Sequence, residues 1–227
     1  MSLFVIGDLH LSGARNKPMG IFGKVWENHT QKIRKNWIET VSVDDTVLIA
    51  GDISWAMTMA EAKIDLDFID ALPGRKVFVR GNHDYWWSSV SKLNSMYKNM
   101  VFLQNSFTMY KSIAICGSRG WESPEGNKAD VKTYTREIGR FRLSLESALK
   151  TGCGKIFFVS HYPPLWKGQK ESGLFNVLKE YPVEKVFYGH LHGEDSFGTG
   201  EKGMVGGMEF SLVSADFLKF VPLKVLD

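Results

Sequence analysis

Short apolar runs recur along the chain, and polar residues follow each of them directly. The runs lie at residues 3–6, 46–50, 77–79, 155–159 and 185–188, and Val, Ile, Leu and Phe dominate them. Continuous runs of this length and composition are typical of strands buried on both faces, as in a parallel sheet. We therefore predict five buried strands, each followed by a polar loop.

Between these runs, apolar residues recur at spacings close to the helical period of 3.6. Three helices are predicted on this basis, with apolar faces of Trp26, Ile33, Trp37 and Val41, of Ile64, Phe68 and Leu72 within 59–72, and of Ile138, Phe141, Leu145 and Leu149 within about 133–150. Residues 11–25 and 119–132 are interpreted as long loops, and residues 107–110 and 113–117 as a hairpin. The tail, from Phe210 to Leu226, is expected to add antiparallel strands to a second sheet. Alternating strands and helices predict an α/β fold, in one domain spanning 1–227.

The polar residues at the strand ends have the character of metal ligands. Five of the six histidines fall there, beside three aspartates and an asparagine: His10, His83, His161, His190 and His192, with Asp8, Asp52, Asn82 and Asp84. The carboxyl ends of strands in an α/β sheet meet at one edge, so these side chains are expected to converge. Taken alone, residues 81–84 are also typical of a polar turn. Any single histidine could likewise have a structural role, which is our interpretation of His29.

Imidazole, carboxylate and amide donors without a thiolate favour Mn²⁺, Fe or Zn²⁺ over Mg²⁺ or Ca²⁺. Six or seven donors exceed the needs of one tetrahedral ion and fit two ions, a pair that can bind both the attacking and the leaving oxygen in phosphoryl hydrolysis.

Composition excludes several classes of protein. With 44% apolar and 23% charged residues in 227, the chain is globular rather than disordered. A net charge of +3 is too small to indicate nucleic-acid binding. The two cysteines, Cys116 and Cys153, form no disulfide framework or thiolate zinc motif. No signal peptide or membrane span is visible, so a cytoplasmic protein without a membrane partner is expected; the oligomeric state stays open.

The strand-end motifs resemble the five ordered motifs of the calcineurin-like metallophosphoesterase superfamily. These are Asp8-Leu9-His10, Gly51-Asp52, Gly81-Asn82-His83-Asp84, His161 and Gly189-His190-Leu191-His192. The resemblance implies a four-layer α/β sandwich of two mixed β-sheets flanked by helices, with a dinuclear metal site at the carboxyl ends of the strands.

The same resemblance implies a role for each site residue. Asp8, His10 and His192 would hold one ion, Asn82, His161 and His190 the other, and Asp52 would bridge the two. His83 would protonate the leaving alkoxide instead of binding metal, with Asp84 orienting it. A hydroxide bridging the two ions would attack phosphorus in line.

Two departures from the family pattern bear on the substrate. Ile53-Ser54-Trp55 follows Asp52 where phosphoprotein phosphatases of this superfamily have Asp-Arg-Gly, and Asp84 stands in place of their Glu. A phosphoprotein phosphatase is therefore less expected than an enzyme for small phosphoesters, monoesters or diesters, nucleotides included. A nuclease would be expected to show a basic stripe, and a non-catalytic scaffold would not be expected to retain every ligand and His83.

The loops predicted above the metals carry cations and tryptophans. The cations are Arg15, Lys17, Lys24, Arg119, Lys128, Lys132, Lys167 and Lys170, and the tryptophans at or near strand ends are Trp55, Trp86, Trp87, Trp121 and Trp166. The cations are explained either by solvation or by an anionic substrate, and the tryptophans either by loop packing or by stacking on an aromatic substrate.

Overall fold

The protein is described by a computed structural model that covers residues 1–15, 17–124 and 128–227. Its strands are β1 (Leu3–Ile6), β2 (Thr46–Ile49), β3 (Arg75–Val79), β4 (Met100–Leu103), β5 (Ser106–Tyr110), β6 (Ile113–Ser118), β7 (Ile156–Ser160), β8 (Val183–Tyr188), β9 (Gly203–Val205), β10 (Met208–Leu212) and β11 (Leu223–Leu226). Its α-helices are α1 (His29–Thr40), α2 (Met59–Asp70), α3 (Val90–Asn94), α4 (Lys128–Leu149) and α5 (Gly173–Lys179), and two 3₁₀ turns lie at Met19–Phe22 and Lys24–Trp26. No helix of the described residues is long and apolar enough to span a bilayer.

The strands form two mixed sheets. The first has the order β11-β1-β2-β3-β4, with β1 to β4 parallel and β11 antiparallel to β1. The second has the order β5-β6-β7-β8-β10-β9, in which the four inner strands are parallel and the two outer strands antiparallel. The parallel strands of each sheet therefore open their carboxyl ends toward one edge, where the loops carry the polar motifs.

Three apolar clusters define four layers. Val5, Leu48 and Val77 of the first sheet pack against Ile115 and Phe157 of the second. The outer face of the first sheet packs against α1, α2 and α3, and the outer face of the second against α4 and α5. This arrangement confirms the expected four-layer sandwich of two mixed sheets flanked by helices.

Two details of the helix predictions are wrong. Helix α4 begins at Lys128, inside the predicted loop 119–132, and Tyr134 is buried in it. Ile64 of α2 is 53% exposed, whereas Leu66 and Ile69 are buried. Residues four apart drift by about 40° around a helix, so Ile64 lies outside the buried face, although Phe68 and Leu72 of the same prediction pack against the core.

The tail also departs from its prediction. Strand β10 pairs in parallel with β8, and β11 joins the first sheet beside β1 instead of the second. Strand β4 was not predicted at all. An apolar run shows that a strand is present, but its partner is set by contacts that are distant in sequence, as between Phe4 and Lys224.

Candidate metal centre

The predicted site residues lie on loops from both sheets. The loops after β1, β2 and β3 carry Asp8, His10, Asp52, Asn82, His83 and Asp84, and the loops after β7 and β8 carry His161, His190 and His192. The packing of the two sheets brings these loops together. All the predicted ligands therefore belong to one cluster, at the edge that the strand order indicated.

The first group of donors consists of Asp8, His10 and His192. The Nε2 atoms of the two histidines are 3.1 Å apart, and His192 Nε2 lies 3.2 Å from Asp8 Oδ1. One ligand atom from each residue falls within 4.8 Å of the others. Three donors of mixed nitrogen and oxygen character thus face a common centre.

The second group consists of Asn82, His161 and His190. The Asn82 Oδ1 atom lies 2.6 Å from His161 Nε2 and 3.1 Å from His190 Nδ1, and the two imidazole nitrogens are 3.3 Å apart. On the far side of its ring, His161 Nδ1 donates to the carbonyl oxygen of Ala50 at 3.0 Å. Since that carbonyl can only accept, the neutral ring carries its proton on Nδ1 and presents the lone pair of Nε2 to the cluster.

Asp52 stands between the two groups. Its Oδ2 atom lies 3.8 Å from His10 Nε2 and 3.5 Å from His161 Nε2, and Asp8, Asp52 and His161 also have ligand atoms within 4.8 Å of one another. The other oxygen, Oδ1, accepts a hydrogen bond from the backbone amide of His83 at 2.8 Å. One carboxylate oxygen is therefore fixed by the loop while the other faces both donor groups.

The electrostatics of the cluster favour a bound cation. Asp8 and Asp52 are both buried, and burial together with the charge of Asp8 raises the pKa of Asp52 to about 8. Although burial acts the other way, Asp8 and Asp216 raise the pKa of His192 to about 10. Burial and the neighbouring histidines lower the pKa values of His10 and His190, the latter to about 3. Two buried carboxylates, the protonated ring of His192 and the neutral rings of His10 and His190 form a set of donors that fits metal ions, which would take the place of the bound protons.

Backbone conformation aims these side chains. Asp8, His10, Asp52 and His190 have φ angles of 57°, 45°, 48° and 72°. Non-glycine residues rarely adopt this left-handed region, and each such residue costs on the order of 1–3 kcal/mol. The surrounding packing holds four predicted ligands in this conformation, which is typical of sites where side-chain direction matters more than stability.

Two motif glycines make room for the carboxylates. A Cβ atom on Gly81 would lie 2.0 Å from Asp52 Oδ1, and one on Gly189 would lie 2.2 Å from Asp8 Oδ2. Both distances are far inside van der Waals contact. These positions therefore exclude any side chain as long as the carboxylates keep their places.

His83 borders the cluster without joining either donor group. Its Nε2 atom lies 3.9 Å from Asp52 Oδ2, and its ring packs on the indole of Trp55 with centroids 4.3 Å apart. Burial, reinforced by the charges of His161 and Lys17, lowers the pKa of His83 to about 4. The side chain is 35% exposed, so it can reach a ligand in the opening above the cluster.

Asp84 does not make the expected contact with the His83 ring. Its buried carboxylate accepts from the backbone amides of Ile53, Ser54 and Gly81 at 2.9, 3.2 and 2.7 Å, and from Trp86 Nε1 at 3.2 Å. These four bonds draw the carboxylate back between the loops after β2 and β3. Asp84 therefore holds the two loops that carry Asp52 and His83, which corrects the predicted orienting contact.

One acidic residue near the cluster escaped the sequence analysis. Asp216 Oδ1 lies 3.2 Å from His192 Nδ1, and Asp216 Oδ2 accepts from the Gly193 amide at 2.9 Å. These contacts turn His192 Nε2 toward Asp8. Asp216 follows β10 much as Asp8 and Asp52 follow their strands, so the same signal was present in the sequence.

The loop tryptophans divide between packing and the site. Trp86 and Trp87 are buried in the first core, in agreement with the packing interpretation. Trp55 stacks on His10 with centroids 4.8 Å apart, and Trp121 packs on Tyr162, with the Arg119 guanidinium 4.4 Å from its ring centroid. Trp166 packs at the edge of the second core.

The predicted cationic rim is less uniform than its sequence suggested. Arg15 forms an ion pair with Glu61 at 2.7 Å, and Lys17 Nζ lies 3.0 Å from the ring centroid of Trp55. The exposed lysines of the rim are Lys24, Lys132, Lys167 and Lys170, while the side chain of Lys128 lies outside the described residues. The charge of Lys17 also contributes to the lowered pKa of His83, which borders the cluster.

The chain is similar to several known proteins in sequence or in fold. A sequence model for calcineurin-like phosphoesterases matches residues 1–194. The Gene 66 protein of Mycobacterium phage L5 is 38% identical over 77 residues, which are 34% of this chain and 37% of that protein, so the match spans little more than a third of the relative. Two crystal structures share the fold. A protein of unknown function from Aquifex aeolicus has a TM-score of 0.51 and 15% identity, over 98% of this chain and 95% of that one. Phosphopantetheinyl hydrolase from Mycobacterium tuberculosis has a TM-score of 0.53 and 16% identity, over 99% and 95%.

Proposed function

The chain belongs to the calcineurin-like phosphoesterase family, and from this premise we propose that it hydrolyses small phosphoesters with two divalent transition-metal ions. Membership makes it a metal-dependent phosphoesterase. The observation that carries the finer proposal is the position of Asp52, whose Oδ2 faces a donor group on either side at 3.8 and 3.5 Å. A carboxylate between two sets of three donors is the arrangement that a pair of ions requires.

The proposed ligands follow the two groups. Asp8, His10 and His192 would hold one ion, Asn82, His161 and His190 the other, and Asp52 would contact both. Four imidazoles among seven donors, with no thiolate, favour Mn²⁺, Fe or Zn²⁺. When bound, the ions would lower the pKa of a water and neutralise charge on the phosphoryl oxygens.

His83 is the proposed general acid. Its ring borders the donor groups without belonging to either, and it is exposed enough to meet the leaving oxygen. In the protein alone its pKa is about 4. The negative charge of a bound phosphoester acts in the opposite direction and favours the protonated ring, which can then donate to the departing alkoxide.

A small phosphoester, monoester or diester and nucleotides included, remains the proposed substrate. The sequence departures at residues 53–55 and at Asp84 support a small molecule over a phosphoprotein. The modest net charge of +3 supports it over a nucleic acid.

Metal analysis combined with a substrate panel tests this function. Protein reloaded with Mn²⁺ is expected to retain close to two equivalents and to hydrolyse aryl monoesters, aryl diesters or nucleotides, with little turnover of phosphoproteins or duplex DNA. Asp52→Asn is expected to lose metal, whereas the exposed Asp195→Asn, a matched control, is expected to retain it. One equivalent that Asp52→Asn leaves untouched would remove the bridge, and efficient phosphoprotein turnover would overturn the substrate class.

A further inference from the structure

An apolar pocket of about 260 Å³ opens directly beside the first donor group. Its lining consists of His10, Met19, Phe22, Trp26, Trp55, His83, His192 and Gly193. Apart from the histidines, which belong to the site described above, the described residues of the lining include no ionisable side chain. The volume lies just below the range of about 300–1,000 Å³ that is usual for small-molecule pockets. The pocket therefore suits a small organic group without charge.

The walls of this pocket rest against the proposed catalytic residues. Trp55 stacks on His10 at an interplanar angle of 21° and packs on His83, while Trp26 meets the rings of His10 and His192 edge-on at 5.7 and 5.6 Å. The indole nitrogen of Trp55 donates to Met19 Sδ at 3.2 Å. The aromatic walls are thus held in place, and a group inside the pocket would lie within reach of the phosphorus.

The position of His83 indicates which part of the substrate the pocket would face. A general acid must approach the leaving oxygen. Because His83 lines this pocket beside the first donor group, the pocket lies on the leaving-group side of the site. Resting on the function proposed above, we propose that this pocket binds the alcohol portion of the substrate, and that the substrate is a phosphoester of an apolar, uncharged alcohol.

A second opening, of about 480 Å³, is lined in part by cations. Trp55 and His83 line it too, together with Arg15, Lys17, Met57 and Tyr85. Both of its cations already have partners, since Arg15 pairs with Glu61 and Lys17 covers the Trp55 ring. An anionic leaving group would share these cations with Glu61 and with the Trp55 ring, whereas an apolar group enters the first pocket without meeting a charged partner. The contacts therefore favour the apolar group.

Binding of alkylphosphonates tests the proposal without relying on turnover. Methyl-, butyl- and hexylphosphonate are titrated into Mn²⁺-loaded protein by calorimetry, with tryptophan fluorescence as a second readout because Trp26 and Trp55 line the pocket. Full burial of a methylene strengthens binding by about fourfold. Since part of the chain can remain in solvent, hexylphosphonate is expected to bind at least about tenfold more tightly than methylphosphonate. ω-Carboxypentylphosphonate, which ends in a charge, is expected to lose this advantage.

A matched pair of variants locates the effect. Phe22 lines the pocket and is 57% exposed, and its neighbour Ile21 is 72% exposed outside the lining, so neither substitution threatens the core. Phe22→Ala is expected to lower the hexyl-to-methyl affinity ratio by about fivefold, and Ile21→Ala to leave it unchanged.

The possible failures can be told apart. Affinity that does not rise with chain length, or a preference for the carboxylate, would overturn the pocket assignment, even if methyl phosphate is hydrolysed. If affinity rises with chain length but the protein hydrolyses no phosphoester, the pocket assignment stands and the proposed reaction is refuted. Equal effects of Phe22→Ala and Ile21→Ala would place the apolar group elsewhere.

Discussion

Replacing Asp216 by asparagine is expected to weaken metal binding although Asp216 is not itself a proposed ligand. Its carboxylate accepts from His192 Nδ1 at 3.2 Å and from the Gly193 amide at 2.9 Å, while His192 Nε2 faces Asp8. Asparagine keeps the shape of the side chain but turns one acceptor into a donor. It therefore cannot satisfy both contacts, and the His192 ring loses its fixed orientation.

Two opposing effects set the magnitude. Loss of a partner that orients a metal-bound histidine typically costs 10–100-fold in metal affinity, or about 1.4–2.7 kcal/mol. Asp216 also contributes to raising the pKa of His192 to about 10, so its removal weakens the competition between a proton and the metal at neutral pH. The second effect offsets part of the first. We therefore expect the lower end of the range, about a tenfold loss at pH 7.

Competition with a chromogenic chelator measures the Mn²⁺ dissociation constants of the wild-type protein and of Asp216→Asn. The exposed Asp195→Asn controls for loss of one negative charge near the site, and circular dichroism confirms that each variant is folded. Folded Asp216→Asn protein whose affinity stays within about twofold of the Asp195→Asn control would refute the reasoning.

Three further predictions test other parts of the account. Gly81→Ala is expected to displace Asp52, because the added Cβ would lie 2.0 Å from its Oδ1, and so to lower metal content in elemental analysis; Gly139→Ala, with nothing within 4 Å, is the control, and equal metal content would contradict the crowding argument. His83→Ala is expected to retain its metal yet lose about 10²–10⁴-fold in turnover of alkyl esters and much less of aryl esters, whereas equal losses would exclude His83 as the acid. Lys76 is buried, and burial lowers its pKa in the folded protein from 10.5 to about 8. Between pH 8 and 10.5 the unfolded chain therefore holds a proton that the folded chain has lost, so the free energy of unfolding rises with pH in this range. The difference in unfolding free energy between wild type and Lys76→Met is expected to shift in favour of wild type by up to about 3 kcal/mol from pH 7.5 to 10.5 in urea titrations, and a constant difference would contradict it.

The site residues could be predicted from the sequence because each one is marked by its immediate neighbours in the chain. Each ligand stands a few residues after a buried apolar run, and parallel strands carry such positions to one edge regardless of how the rest of the chain folds. Asp52 and His161 were found in this way although 109 residues separate them in the sequence.

What sequence did not predict depends on contacts between distant segments. The pairing of β11 with β1 follows from tertiary packing, and so does the contact of Asp216 with His192, although the position of Asp216 after a strand was visible in the sequence. Two of the four hydrogen bonds that hold Asp84 away from His83 likewise depend on the loop after β2 meeting the loop after β3. The start of α4 was missed because Val131 and Lys132 near its beginning are exposed, so they show no apolar period to recognise.

The central claim is that Asp52 joins two metal ions, and anomalous diffraction from crystals of the Mn²⁺-loaded protein tests it most directly. Two anomalous peaks about 3.5–4 Å apart are expected, with Asp52 in contact with both. One peak is expected beside Asp8, His10 and His192, and the other beside Asn82, His161 and His190. A single peak at full Mn²⁺ loading, or two peaks of which only one contacts Asp52, would contradict it.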